Sequence, residues 1–165
     1  MKQLQGKSFN IEEDVVGRIT FAKKMFNRSN EIWVSKDASS PAFGYAATIT
    51  TKDSITNNGK PYCVVNNVDG FHEGDVVVVN KQGEIIFVYE VKSVHNAIMA
   101  TERCNHRCIM CPQPPILQEK DKTPFNLKLI SLFDKCTKEI GITGGEPTLI
   151  GEFVCLDKSY QKRTS

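Results

Sequence analysis

Residues 104–111 read Cys-Asn-His-Arg-Cys-Ile-Met-Cys, which sets Cys104, Cys108 and Cys111 at C-x3-C-x2-C spacing. Three thiolates this close repel one another unless a positive centre lies between them. Soft sulfur ligands select iron–sulfur clusters, zinc or Cu(I). A cubic 4Fe–4S cluster usually takes four cysteines, so three leave one iron open to a substrate or cofactor. Structural zinc calls for a fourth ligand, commonly from a second C-x2-C or an H-x3–5-H pair. The sequence has no such pair, and His106 lies inside the loop at a spacing awkward for a tetrahedron. The plain alternative is three reduced structural thiols. Against it, half of the six cysteines fall within eight residues.

The flanks of this stretch suit a site. Ala97-Ile98-Met99-Ala100-Thr101 is short and apolar, like a buried strand. Pro112, Pro114 and Pro115 exclude a continuing helix. The thiols are therefore expected on a loop at a strand end, where open α/β sheets and barrels carry their chemistry.

A chain of 165 residues suffices for one ordinary domain or two small ones. Hydrophobic residues at 40% and charged residues at 24% fit a globular protein and exclude wholesale disorder. The net charge of +2 is too small to imply nucleic acid or an anionic membrane as a partner. No apolar run reaches membrane-spanning length, and Met1-Lys2-Gln3-Leu4-Gln5 does not begin a signal peptide. A cytoplasmic setting follows as the expectation. There, clustered cysteines mean metal or catalysis more often than disulfides.

Residues 1–94 read as a β-rich domain. Candidate strands are Val15–Phe21, Ile32–Val34, Tyr45–Thr50 and Tyr62–Val65. Two β-branched runs, 74–79 and 84–91, flank Asn80-Lys81-Gln82-Gly83 and predict a hairpin. Ser39-Ser40-Pro41 and Asn57-Asn58-Gly59-Lys60-Pro61 supply turns. Several short strands with frequent turns predict a small barrel or sandwich. Trp33, the phenylalanines and Cys63 are expected in the core. His72-Glu73 reads as a solvated turn.

Residues 95–165 have a different character. After the cysteine loop, Thr123-Pro124 predicts a helix start, with Thr123 as a side-chain cap. Leu129, Leu132, Phe133 and Cys136 lie at i, i+3, i+4, i+7, one apolar face that Leu127 and Ile130 widen. Cys136 is therefore expected in the core. A short strand, Glu139–Thr143, runs into Gly144-Gly145-Glu146-Pro147-Thr148. Strand, loop, helix, strand predicts a βαβ unit with parallel strands. Both strands of such a unit deliver their loops to one sheet edge. Two glycines then let a ligand approach the backbone, Glu146 offers a carboxylate to a cation such as an amino group, and Pro147 stiffens the turn.

The cysteine spacing after one strand and Gly-Gly-Glu-Pro after the next resemble the radical S-adenosylmethionine (SAM) enzymes. That resemblance implies a 4Fe–4S cluster on Cys104, Cys108 and Cys111. It implies SAM chelated at the open iron, with Gly144, Gly145, Glu146 and Pro147 at its methionyl end, and cleavage to a 5′-deoxyadenosyl radical. The flanking residues narrow the likeness. His95-Asn96, Thr101-Glu102-Arg103-Cys104, Cys111-Pro112-Gln113-Pro114-Pro115 and Gly141–Leu149 look like the C-type radical SAM maturase of the His-Xaa-Ser system. This implies three partners: a ribosomally made His-Xaa-Ser precursor peptide, a second radical SAM protein and an electron donor.

The expected fold class is then α+β: the β-rich small barrel or sandwich, followed by the first βαβ of a radical SAM partial (β/α) barrel. At roughly 30 residues per βαβ unit, the 69 residues from Ala97 to Ser165 fall short of such a barrel. A truncated core that does not turn over by itself is the expectation. The tail from Gly151 carries a weak helical pattern, and Cys155 within it is not expected to be a ligand. The alternative function is a non-catalytic binding module, in which the β domain docks a peptide or partner beside a vestigial core. A structural zinc protein is the third reading.

Overall fold

The structure is a computed structural model, and it describes residues 2–23, 28–53, 56, 58–111 and 116–150. Pro112, Gln113, Pro114 and Pro115, and the tail with Cys155, lie outside the described residues. The chain divides into two compact units, Met1–Ser93 and Val94–Ser165.

The described residues of the first unit form seven strands: β1 Gln3–Phe9, β2 Val15–Thr20, β3 Arg28–Ser35, β4 Tyr45–Thr50, β5 Tyr62–Val65, β6 Val76–Val79 and β7 Glu84–Tyr89. They close into a barrel in the order β1-β5-β4-β3-β2-β6-β7. Pairs β2·β3, β3·β4 and β4·β5 are parallel, and the others are antiparallel. Closure leaves no unpaired strand edge. Alternate residues point inward. Ile32 and Val34 of β3, Cys63 and Val65 of β5, Val77 and Val79 of β6, and Ile85 and Phe87 of β7 fill the interior with Ile19 and Ile49. On the other face of β3, Trp33 packs with Ala38, Ala42 and Tyr45 in a small separate cluster.

The hairpin turn between β6 and β7 follows its sequence. Asn80 Oδ1 accepts the N–H groups of Gln82 at 3.0 Å and Glu84 at 2.9 Å. Gly83 sits at φ +84°, and a Cβ there would strike the Gly6 carbonyl. His72-Glu73 opens a turn, as expected, with Glu73 exposed; the Glu73 carboxylate accepts Phe21 N–H at 2.7 Å, and His72 N–H donates to the buried Asp75 at 2.9 Å. One expectation in this unit is corrected: not all the phenylalanines are core, since Phe43 is 84% exposed. Its ring carries the Lys60 ammonium 4.9 Å from the centroid.

Cys63 lies wholly inside the barrel, and burial pushes its thiol up to about 11. Cys108, Cys111 and Cys136 are exposed. The thiolate is the nucleophile. Iodoacetamide at pH 8 is therefore expected to label those three at least about a hundredfold faster than Cys63. Peptide mapping reads the order, and equal labelling of Cys63 and Cys136 in the folded chain would refute the placement.

The second unit contains β8 Ala97–Thr101, α1 Thr123–Leu132 and β9 Gly141–Gly144. β8 and β9 pair in parallel as a two-stranded sheet, with Ala97 opposite Gly141 and Ile98 opposite Ile142. Asn126 is buried and donates to the carbonyls of Met99 at 3.1 Å and Ala100 at 3.5 Å, which fixes α1 on β8. Leu129, Ile130, Leu132 and Phe133 are buried.

This corrects the expected fold class. The described chain is mostly β: a closed seven-stranded barrel, a separate pair of strands and one ten-residue α-helix. It is not an α+β chain carrying the first βαβ of a radical SAM partial barrel, because the two strands pair only with each other and no larger sheet forms among the described residues. The helix also stops earlier than its apolar periodicity predicts. Phe133 is extended, with ψ 159°, and Asp134 Oδ1 accepts Cys136 N–H at 2.8 Å in a tight local turn. Cys136 is thereby exposed instead of buried. At the start of α1, Asp121 in place of Thr123 meets the free backbone, accepting Thr123 N–H at 2.9 Å. Among the described residues no helix is long and apolar enough to cross a membrane.

Candidate functional site

Parallel strands send their following loops to the same edge of a sheet. After β8 comes the cysteine loop, and after β9 comes Gly145-Glu146-Pro147. The two run side by side. Gly145 N–H donates to the Thr101 carbonyl at 2.8 Å, and Glu146 N–H donates to the Arg103 carbonyl at 2.8 Å. This approach requires both glycines. Gly144 adopts φ +139°, and a Cβ on it would strike the Thr101 carbonyl oxygen. A Cβ on Gly145 would strike the Arg103 carbonyl oxygen. The Gly-Gly pair thus serves contact between the two loops.

Glu146 then turns its side chain back on the chain. One oxygen accepts Thr148 N–H at 3.1 Å and Thr148 Oγ1–H at 2.6 Å. These two bonds, the hydroxyl first, hold the carboxyl below its usual range. The other oxygen lies 3.5 Å from His106 Nδ1, inside the cysteine loop. Pro147 opens a single 3-10 turn, Pro147–Leu149. The side of the carboxylate not bonded to Thr148 is thus turned toward the cysteine loop, against His106.

Cys104 is half-buried where the loop begins, and its N–H donates to the Ile116 carbonyl at 2.9 Å. Its sulfur accepts His106 N–H at 3.4 Å. Cys111 N–H donates to the Cys108 carbonyl at 3.1 Å, closing a turn between the second and third thiols. Residues 105–111 are all exposed, including Ile109 and Met110.

No family model, curated protein or solved structure matches this chain. An iron–sulfur cluster takes thiolate donors, and this short loop offers three, Cys104, Cys108 and Cys111, the first of which accepts a backbone N–H. Among the described residues no group of three or more His, Cys, Asp or Glu side chains is close enough to hold a metal ion. An exposed loop with few packed contacts costs little to rearrange around a bound group.

One participant was not among the residues that the motifs single out. The Glu119 carboxylate, on the far side of the loop's first residues, accepts the Thr101 hydroxyl and the N–H groups of Glu102 at 2.8 Å and Arg103 at 3.4 Å. No spacing or motif marks it.

Proposed function

We propose that this chain carries a radical SAM site. In this reading Cys104, Cys108 and Cys111 hold a 4Fe–4S cluster, and Gly144, Gly145, Glu146 and Pro147 receive the methionyl end of SAM. The single observation that supports it is the pairing of the Gly-Gly-Glu turn with the first residues of the cysteine loop through two backbone hydrogen bonds. When bound, a reduced cluster supplies the electron that cleaves the SAM sulfonium bond to a 5′-deoxyadenosyl radical.

The chain's own residues have distinct tasks. The three thiols bind. Glu146 offers a carboxylate beside the cysteine loop, there against His106, that is suited to a cationic amino group. The glycines hold the turn against the first residues of the cysteine loop. A reduced, cytoplasmic setting belongs to the same proposal, since free thiols are what the site needs.

The alternative reading is a non-catalytic binding module, in which the β domain docks a peptide or partner beside a vestigial core. Anaerobic reconstitution with iron and sulfide separates the two. The expected result is about four iron and four sulfide per chain with broad brown absorbance, lost in Cys104→Ala, Cys108→Ala and Cys111→Ala. Glu146→Gln should keep the cluster and lose the spectral change on adding SAM. Zinc uptake without iron would replace the proposal with a structural zinc site. No metal uptake would leave the binding module.

A further inference from the structure

Residues 101–103, just before Cys104, are held from two sides. The carbonyls of Thr101 and Arg103 accept Gly145 N–H and Glu146 N–H. The N–H groups of Glu102 and Arg103 and the Thr101 hydroxyl turn the other way, to the Glu119 carboxylate. Thr101 Oγ1 also accepts Arg103 N–H at 3.0 Å, which locks the same three residues internally. Glu119 is itself tethered. Its side chain is 10% exposed, and its second oxygen lies 3.5 Å from Lys122 Nζ, which also pairs with Glu102 at 3.2 Å. The segment carrying Glu119 runs alongside the loop's start, with Ile116 bridged to Arg103. Glu119 also lines a cavity of about 200 Å³ together with Thr101, Arg103, Lys122 and Thr123.

We propose that Glu119 is a positioning residue that couples the two halves of the candidate site. By fixing the N–H side of residues 101–103, it sets the carbonyl side to which the Gly-Gly-Glu turn is bonded. Glu119 touches neither Gly145 nor Glu146 in any described hydrogen bond, so its influence on them passes through the backbone of Thr101 and Arg103. One carboxylate oxygen suits this task because it accepts several donors at once, and bonds to a charged acceptor are the stronger kind. The functional meaning rests on reading the two loops as one site, but the coupling itself needs no metal.

Amide hydrogen exchange on the metal-free full chain tests it, with Glu119→Gln as the variant. Glutamine keeps the shape and one acceptor oxygen, and removes the charge. Exchange at Glu102 and Arg103 should speed up about tenfold or more. Gly145 and Glu146 should speed up with them, while Asn126 in α1 keeps its protection. A purely local role would leave Gly145 and Glu146 unchanged, and that result overturns the proposal. Loss of protection at Asn126 as well would make Glu119 a general stability residue, which also overturns it. Thr101→Val, which deletes the hydroxyl donor to Glu119 and the acceptor for Arg103 N–H but spares the carboxylate, should also speed exchange at Arg103 and Gly145.

After reconstitution, Glu119→Gln should release iron to a chelator about tenfold faster than the unaltered chain. Release at the unaltered rate would confine the coupling to the metal-free chain and overturn its role in the site. Should the unaltered chain take up no iron, the proposed function falls, while the exchange result still decides the coupling.

Discussion

Asp75→Ala is expected to lower the melting temperature of the barrel by more than about 10 °C, a loss of about 3 kcal/mol. Asp75 is wholly buried, yet its carboxylate is fully used. One oxygen accepts His72 N–H at 2.9 Å and the other accepts Val91 N–H at 2.9 Å. The first oxygen also lies 3.4 Å from His72 Nδ1. The side chain thus ties the corner before β6 to the segment after β7. Alanine would leave two backbone donors without an acceptor, and each bond to a charged acceptor contributes roughly 1.5–3 kcal/mol. An asparagine side chain can serve one donor through its oxygen but presents an N–H₂ to the other, so Asp75→Asn should fall between. Trp33, buried on the barrel, reports the transition by fluorescence. A change below about 1 kcal/mol in Asp75→Ala would show that water replaces the carboxylate at no cost.

Gly145→Ala is expected to separate the two loops without disturbing the barrel. The added Cβ meets the backbone of Glu102 and Arg103, and backbone cannot swing aside as a side chain can. Overpacking of this kind costs roughly 1–3 kcal/mol. Two backbone bonds, from Gly145 to Thr101 and from Glu146 to Arg103, are lost with it at about 1 kcal/mol each. Limited proteolysis should then cut within 102–111 several-fold faster, while the Trp33 transition stays in place. Gly59→Ala is the control. Gly59 also has a positive φ, +76°, but a Cβ there meets nothing within 4 Å. Only backbone strain of about 1 kcal/mol is expected from it. Equal proteolysis in Gly145→Ala and the unaltered chain would mean that the paired loops do not depend on the glycine.

The sequence signals are strongest where local chemistry decides structure. The β-branched runs at 76–79 and 84–89 and the Asn80–Gly83 turn between them are legible because each needs only its neighbours in sequence. β1 is not legible. Gln3-Leu4-Gln5-Gly6-Lys7-Ser8-Phe9 has little strand propensity, and it is extended because β5 and β7 hold it on both sides. The three successive parallel pairs also escape a local reading, since a strand's partner is chosen by the whole barrel. The cysteine and glycine motifs speak of loops, and they carry no information on how many strands pair behind them. That is why the expected partial barrel is replaced by a two-stranded sheet. The expected helix runs too long because periodicity continues through Cys136, while Asp134 turns the chain after Phe133. Glu119 is hidden for a further reason: one acid in a polar stretch looks like any other until the fold brings three donors to it.

The position of β1 in the ring also bears on time. Its partners are Tyr62–Val65 and Glu84–Ile86, far along the chain. As the polypeptide emerges from a ribosome, β1 appears before both of its barrel partners and waits until β5 and β7 follow. The seam shuts only when the chain has been made past Ile86. Such distant pairing carries a large loop-closure cost before any contact rewards it, and domains of this kind fold in milliseconds to seconds. The low apolar content of Gln3–Phe9 suits a segment that must wait: a strand with little stickiness of its own stays soluble until its place in the ring exists.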